Sequence, residues 1–260
     1  MDFFTEIALY TLIGIVSGFF GGLLGIGGGL IMVPTLLLAF HSFDHAMHLA
    51  VGTSLAAMIF TSLASATTHY FRKGIRWQIF YAVTPGIIIG AIFGAWIASH
   101  LSSESLEFFF GGFAALFGVY FLFPKKGEEA KELKLLSSSL MIVPGICIGA
   151  VSALLGIGGG LIMVPLLTYF GVKIRNAIST SAATGVLIAI FGALSFYFFG
   201  IEEASADETL GFIYLPAFIA VGIASLVSAP LGAMTAHLLP VPMLQKIFGA
   251  FLILIGIKMM

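Results

Sequence analysis

Two near-identical glycine-rich segments are the residues of this chain whose types and spacing could do chemistry. Gly22–Pro34 reads GLLGIGGGLIMVP and Ala153–Pro165 reads ALLGIGGGLIMVP, so twelve consecutive residues recur. A glycine costs about 1 kcal/mol relative to alanine inside a helix, so GIGGG predicts an unwound stretch that ends just before a new helix starts. The first N–H groups of that helix lack intrahelical partners and carry the positive end of its dipole. The segments therefore predict an anion site that needs no basic side chain.

Hydroxyl residues follow each glycine segment at a comparable distance. Thr53 and Ser54 lie in copy one, and Thr180 and Ser181 lie in copy two. Their hydroxyls could donate hydrogen bonds to an oxyanion, although Ser and Thr in helices also bond their own backbone. The full set predicted to bind substrate is Gly25, Gly27, Gly28, Gly29, Thr53, Ser54, Gly156, Gly158, Gly159, Gly160, Thr180 and Ser181.

The same pattern bears on other roles for these and neighbouring residues. Close packing of helices through small residues remains an alternative role for the glycines. A nucleotide-binding loop is disfavoured, because no strand precedes GIGGG and no Lys-Ser/Thr pair follows it. His41, His45 and His48 stand near Asp44, and a solvated outer loop is favoured there over a metal site. The sequence predicts no catalytic residue, metal or cofactor, since an enzyme would need titratable groups that converge in a cavity.

The composition places these segments in a membrane. Of the 260 residues, 60% are hydrophobic and 9% are charged, whereas soluble domains carry about 25% charged residues. The formal net charge of −1 gives no basic surface for nucleic acid, and the single cysteine excludes an intrachain disulfide. The predicted partners are the lipid bilayer and a small anionic substrate, with a homo-oligomer possible.

The glycine segments belong to a longer internal duplication. AVGTS at 50–54 resembles AISTS at 177–181, and Gly94-Ala95 resembles Gly232-Ala233, in the same order along the chain. We therefore predict an all-α integral membrane protein with repeat 1 over 1–124, a charged linker over 125–137 and repeat 2 over 138–260. Each repeat is predicted to hold a broken helical hairpin and three transmembrane helices. The hairpins are 7–40 and 139–170, and the helices are 47–70, 78–100, 106–123, 176–199, 211–237 and 243–259.

The charges of the loops predict that the two repeats are inverted. The loops at 72–76 and 173–175 and the linker are basic, which places them in the cytoplasm, while 41–46 and 200–210 lack Lys and Arg. Equivalent loops at 72–76 and 200–210 then lie on opposite sides, as in inverted-repeat transporters. Residues 139–170 must leave and return on one side, so we expect a re-entrant hairpin with GIGGG near its tip and a matching hairpin at 7–40. A single kinked span over 139–170 is the alternative.

The paired segments at Gly25–Pro34 and Gly156–Pro165, with the GTS at 52–54, resemble the TauE/SafE family of membrane proteins, often called sulfite exporters. The resemblance covers essentially the whole chain. It implies a secondary transporter in a bacterial-type inner membrane for sulfite, sulfoacetate, other organosulfonates or thiosulfate. We expect alternating access, and a bulky replacement of Gly28 or Gly159 should abolish transport while the protein still inserts. The alternatives are an anion channel, a membrane assembly subunit that transports nothing, and a membrane enzyme.

Overall fold

The structure is a computed structural model that describes residues 3–122, 140–203, 208–235 and 241–260. Within these residues the chain forms ten α-helices and one short β-hairpin, which confirms the predicted all-helical class. The predicted linker 125–137 lies outside the described residues. The elements are α1 Phe3–Leu24, α2 Gly29–Ala39, α3 Ala46–Phe71, α4 Trp77–Ser99, α5 Ser103–Leu122, α6 Ile142–Leu154, α7 Gly160–Tyr169, α8 Ile174–Phe199, β1 Thr209–Leu210, β2 Ile213–Tyr214, α9 Leu215–Thr235 and α10 Val241–Met259.

The lengths of the helices separate full spans from half-helices. Among the described residues, six helices are long and apolar enough to cross a membrane, namely α1, α3, α4, α5, α8 and α9. In contrast, α2, α6 and α7 contain 11, 13 and 10 residues. At a rise of about 1.5 Å per residue they extend about 15–20 Å, well short of a hydrocarbon core of about 30 Å.

One predicted helix begins later than expected. The sequence predicted a helix over 211–237, but α9 starts at Leu215. The preceding residues form an antiparallel hairpin in which Thr209 pairs with Tyr214 and Leu210 with Ile213. Gly211 turns this hairpin with a φ of +58°, a left-handed conformation that favours glycine.

Equivalent helices of the two halves pair with one another in antiparallel directions. In the central pair, α3 and α8, Leu55 lies against Gly192 and Ser62 lies against Gly185. In the outer pair, α5 and α10, Gly111 lies against Gly256 and Gly118 lies against Gly249. In both pairs the residue numbers rise along one helix as they fall along the other, so the two paired helices are antiparallel.

Two further close pairs are α1 with α9 and α4 with α6, each formed by helices of different halves. Glycines recur at every fourth position on the contact face, as Gly14, Gly18 and Gly22 do on α1. A Cβ on Gly14 would lie 2.6 Å from Val221 O, and a Cβ on Gly18 would lie 2.7 Å from Ser225 Cα. The backbones can approach this closely only because small residues line the contact, as in other membrane helix pairs.

The loops collect at two ends of the bundle, which we name by their charge. At the basic end, the loop 72–76 meets the start of α8, where Asn176 Nδ2 donates to Gly74 O at 2.7 Å. At the acidic end, the loop 40–45 meets 200–214, and His45 Nε2 lies 3.2 Å from Glu203 Oε2. Exposed charged residues at the basic end are Arg72, Lys73, Arg76, Lys173 and Arg175, and those at the acidic end are Asp44, Glu202, Glu203 and Glu208.

Each glycine segment joins two helices into a hairpin, α1 to the half-helix α2 and the half-helix α6 to the half-helix α7, and the two hairpins open toward opposite ends. In the α1–α2 hairpin, the Tyr10 ring near its start lies 6.3 Å from the Phe40 ring at its finish, and 6.2 Å from Tyr214 at the acidic end. In the α6–α7 hairpin, α7 leads through 170–173 into α8 at the basic end. Its first arm, α6, starts where Ile142 lies against Gly86, the tenth residue of α4, and runs parallel to α4 away from the basic end, since Gly94 lies against Ala150. The glycine segments form the two turns that point inward.

Candidate functional site

The two glycine tips meet in the interior of the molecule. A Cβ on Gly27 would lie 3.4 Å from Gly158 Cα, and a Cβ on Gly29 would collide with the carbonyl oxygen of Gly156. The reciprocal collision joins Gly160 to the carbonyl oxygen of Gly25. The contact thus repeats with the halves exchanged, and a side chain at Gly29 or Gly160 would push the tips apart.

Backbone conformation explains why glycine occupies the turns themselves. Gly25, Gly27 and Gly28 have φ angles of 67°, 75° and 84°, and Gly156 has a φ of 68°. Side chains destabilise this left-handed region, whereas glycine adopts it readily. The second tip is not an identical copy, because Gly159 has a helical φ of −55° where Gly28 is left-handed.

Each tip carries the start of a helix. Ile31 N and Met32 N donate to Gly28 O at 3.0 and 3.1 Å, so hydrogen bonding along α2 begins at Gly28. Ile162 N and Met163 N donate to Gly159 O at 3.2 and 2.8 Å in the same way. The first N–H groups of α2 and α7 therefore lie at the meeting point, together with the positive ends of both helix dipoles.

The predicted hydroxyl residues reach the tips or the backbone beside them. Ser54 Oγ donates to Gly156 O at 3.0 Å, and Ser181 Oγ donates to Gly25 O at 3.2 Å. Each central helix therefore ties down the tip of the opposite half. Because these two protons go to carbonyl groups in this structure, an anion-binding role for Ser54 and Ser181 stays a prediction.

Thr53 and Thr180 bond to backbone farther from the tips. Thr53 Oγ1 accepts a hydrogen bond from Tyr214 N at 2.9 Å, where the chain enters α9. Thr180 Oγ1 accepts one from Arg76 N at 3.0 Å, where the chain enters α4. The structure therefore gives this pair a positioning contact at the two ends, and their predicted role in binding also stays a prediction.

Three other buried serines have no hydrogen-bond partner within the part of the chain that the structure describes, and sequence reasoning missed them. They are Ser62, Ser65 and Ser152. Ser62 is the most informative, because its Oγ would lie 3.4 Å from a Cβ on Gly27 and 3.3 Å from one on Gly185. The sequence offers one signal, which is a difference between the copies. Counting from the AVGTS and AISTS segments, Ser62 of copy one corresponds to Ala189 of copy two.

The sequence predicts a solvated loop for His41, His45 and His48, and the structure differs from this prediction at His48. His41 and His45 are exposed, as a solvated loop requires, but His48 is only 2% exposed in the first turn of α3. His48 Nε2 lies 3.0 Å from Ala98 O, and its ring packs 4.9 Å from that of Phe212. Among the described residues, no group of three His, Cys, Asp or Glu side chains is arranged to hold a metal.

Aromatic rings pack over the acidic end of the first hairpin. The Phe40 and Tyr214 rings lie 5.3 Å apart, and Tyr10 and Phe43 contact the same pair. The Tyr214 hydroxyl donates to Glu208 Oε2 at 3.0 Å. Burial and then this hydrogen bond raise the pKa of Tyr214, so its phenol stays protonated as a donor at neutral pH.

Comparison with known proteins relates the chain to one protein family. The family model described as sulfite exporter TauE/SafE matches residues 10–259. A protein of Haemophilus influenzae named "Probable membrane transporter protein" is 36% identical and covers 98% of both chains. Proteins with the same descriptive name from Methanocaldococcus jannaschii and Bacillus subtilis are each 27% identical, over 88% and 92% of this chain and 84% and 93% of their own. No solved structure matches the chain.

Proposed function

This chain belongs to the sulfite exporter TauE/SafE family, and from that premise we propose that it carries small sulfur-containing anions across the cytoplasmic membrane by alternating access. The class of multi-pass membrane transporter rests on the family, the names of the relatives and the six apolar helices. The substrate candidates are sulfite, sulfoacetate and other organosulfonates, and thiosulfate. The observation that carries the proposal is the meeting of two helix starts at the glycine tips.

The chemistry of the tips suits a small oxyanion. Two helix N-termini supply backbone N–H donors and partial positive charge, and the glycines leave no side chains between them and a ligand. The glycine segments, Thr53, Ser54, Thr180 and Ser181 contribute no basic side chain. Neutral dipoles bind an anion weakly enough for release, which a carrier requires at each turn of its cycle.

The same proposal includes inverted repeats and re-entrant hairpins. Support comes from the antiparallel directions of α3 and α8 and from the hairpins that open toward opposite ends. In inverted-repeat transporters, broken helices place substrate sites where the two halves meet, and rocking of one part against the other alternates access. By the positive-inside rule, the basic end and the linker 125–137 face the cytoplasm.

Ligand-induced thermal stabilisation of the detergent-purified protein tests the substrate. The anions are sulfite, thiosulfate, sulfate, sulfoacetate, taurine, acetate and phosphate, each at a series of concentrations. A ligand that binds only the folded state stabilises it by about 2.7 kcal/mol at a hundredfold excess over Kd. We expect a rise in Tm with at least one sulfur anion and none with acetate or phosphate.

Flux in liposomes then separates a carrier from the alternative channel or assembly subunit. A carrier takes up labelled anion faster when unlabelled anion is present on the other side, because loaded sites return more readily. A channel shows no such acceleration, and an assembly subunit shows no flux. Absence of both stabilisation and flux for every sulfur anion in the panel would overturn the proposed substrate class.

A further inference from the structure

A row of polar side chains runs along α3 from the glycine tips to the basic end. Ser62, Ser65 and His69 follow one another at intervals of three and four residues, so they share one face of the helix. Each is 2% exposed. Ser62 lies beside Gly27 and Gly185, whereas His69 Nδ1 lies 3.2 Å from Ser179 Oγ at the start of α8. We call Ser62, Ser65 and His69 the α3 polar row, and it extends about 10 Å along the helix.

The two serines are unusual within their own helix. Thr67 and Thr68 of α3 donate to the carbonyls four residues earlier, at 2.7 and 2.9 Å, as hydroxyls in membrane helices commonly do. Ser62 and Ser65 make no such bond and have no partner among the described residues. A buried hydroxyl left unsatisfied costs about 1–3 kcal/mol. Two on one face of the helix, with Ser62 beside the tips, indicate that water or an anion completes their hydrogen bonding.

The second half lacks this row. Counting from the matched AVGTS and AISTS segments, Ala189, Gly192 and Phe196 occupy the positions of Ser62, Ser65 and His69. Phe196 instead packs on Phe212, with ring centroids 6.2 Å apart. The three positions of the α3 polar row are therefore apolar or glycine in the second half, although His48, Thr53 and Ser195 are buried polar side chains nearer the acidic end.

The acidic end shows the converse difference. Tyr10, Phe40 and Tyr214 pack together there. Counting from the matched glycine segments and from the Gly94-Ala95 and Gly232-Ala233 pairs, Met141, Gly171 and Arg76 occupy their positions at the basic end. None of these three positions holds an aromatic ring, and the rings that pack together at the basic end are those of Tyr70, Trp77, Phe80 and Tyr81.

We propose that water and the transported anion reach the glycine tips from the basic end along the α3 polar row, and that Ser62 is the side-chain donor that meets the anion there. This inference rests on the proposed function. On this route the acidic end is the closed side, where the rings of Tyr10, Phe40 and Tyr214 pack together. The ligand chemistry is that of a small oxyanion with its hydrating water.

Accessibility of introduced thiols tests the route. In a Cys147→Ser background, Ser62→Cys and Ser65→Cys each place a thiol in the row with little change in volume, and Ala189→Cys is the matched control in the other half. Arg72→Cys and Glu202→Cys, at exposed positions of the basic and acidic ends, report the side of the membrane. The probe is 2-sulfonatoethyl methanethiosulfonate, an anion that does not cross membranes, applied to right-side-out and to inverted vesicles.

We expect the Ser62→Cys and Ser65→Cys thiols to react only from the side at which Arg72→Cys reacts, and at least tenfold faster than Ala189→Cys. Added sulfite or thiosulfate should slow the reaction of Ser62→Cys. Reaction from the side of Glu202→Cys, or reaction no faster than that of Ala189→Cys, would overturn the route.

Anion flux keeps the two proposals separate. Flux is measured in vesicles of the Cys147→Ser parent, which keeps Ser62. Sided labelling without sulfur-anion flux in that parent would refute the proposed substrate and leave the route standing. Flux without sided labelling would refute the route alone. A size-exclusion profile of each cysteine variant checks that the protein is folded when its thiol is labelled.

Discussion

At the scale of single residues, the glycines of the tips have different tasks. Gly27, Gly29, Gly158 and Gly160 turn their missing side chains toward the opposite tip, whereas Gly28 faces Ser17 O and Gly159 faces Ile188 Cδ1. Gly28 needs glycine for its φ of 84°, but Gly159 does not. The expectation that bulky residues at Gly28 or Gly159 abolish transport therefore tests folding of the tip together with its function, and Gly158 offers a sharper test.

Gly158→Ala should abolish transport without preventing insertion. Its Cβ would lie 2.7 Å from Ile26 C and closer still to Ile26 O, and backbone cannot yield without separating the tips. Gly112→Ala is the matched control, because nothing lies within 4 Å of a Cβ there. We expect Gly158→Ala to lose at least tenfold in anion flux at equal protein per vesicle, and Gly112→Ala to keep it. If Gly158→Ala kept its anion flux, close contact between the two glycine tips would not be required for transport.

The sequence predicted the site residues that occur in both copies of the repeat and missed a residue that occurs in one copy. The glycines and Ser54 and Ser181 recur in both copies, so the duplication pointed to them, and the structure does bring them together. Ser62 has no equivalent serine in the second copy, and a single serine in an apolar run gives no signal of its own. Its position beside Gly27 follows from how α3 packs on α8, a contact between residues distant in the chain.

At the scale of elements, the hydrogen bonds from α3 and α8 hold the broken helices in place. Ser54 of α3 bonds the tip of the α6–α7 hairpin, and Ser181 of α8 bonds the tip of the α1–α2 hairpin. Half-helices this short are marginal alone, because most of their stability comes from packing. Each hairpin tip is thus positioned by a full-length helix of the other half.

Ser54→Ala and Ser181→Ala should each lower the stability of the folded protein. Each change leaves a buried glycine carbonyl without its donor, which we expect to cost about 1 kcal/mol. Thr67→Ala is the control, because its hydroxyl is exposed and bonds only within its own helix. The measurement is Tm in detergent. If neither serine variant melted at a lower temperature than Thr67→Ala, the hydrogen bonds from Ser54 and Ser181 would not contribute to stability.

The elements themselves were predictable where local pattern decides them. Apolar runs gave the long helices to within a few residues, as with 47–70 against the observed Ala46–Phe71. The start of α9 was missed because LGFIYLP continues an apolar run, whereas pairing of β1 with β2 and the turn at Gly211 decide the outcome. Short strand pairs leave little trace in hydrophobic periodicity.

At the scale of the whole molecule, the two halves share one set of contacts but differ in what lines their ends. The packing of α1 on α9 matches that of α6 on α4, and the contacts of the tips are reciprocal. On this shared frame, one end carries the α3 polar row and basic loops, and the other carries the cluster of Tyr10, Phe40 and Tyr214 and acidic loops. A duplicated scaffold can alternate between equivalent states, while such differences bias it toward one of them.

The sidedness of the linker decides between a re-entrant hairpin and a single kinked span at 139–170. If α6 and α7 form a re-entrant hairpin, Lys131 of the linker and Lys173 after α7 lie on the same side of the membrane. A kinked span would put them on opposite sides. In the Cys147→Ser background, we expect Lys131→Cys and Lys173→Cys to react with an impermeant thiol reagent in inverted vesicles, and Glu202→Cys to react in right-side-out vesicles. Reaction of Lys131→Cys from the side of Glu202→Cys would establish the kinked span and remove the structural basis for two tips that enter from opposite faces.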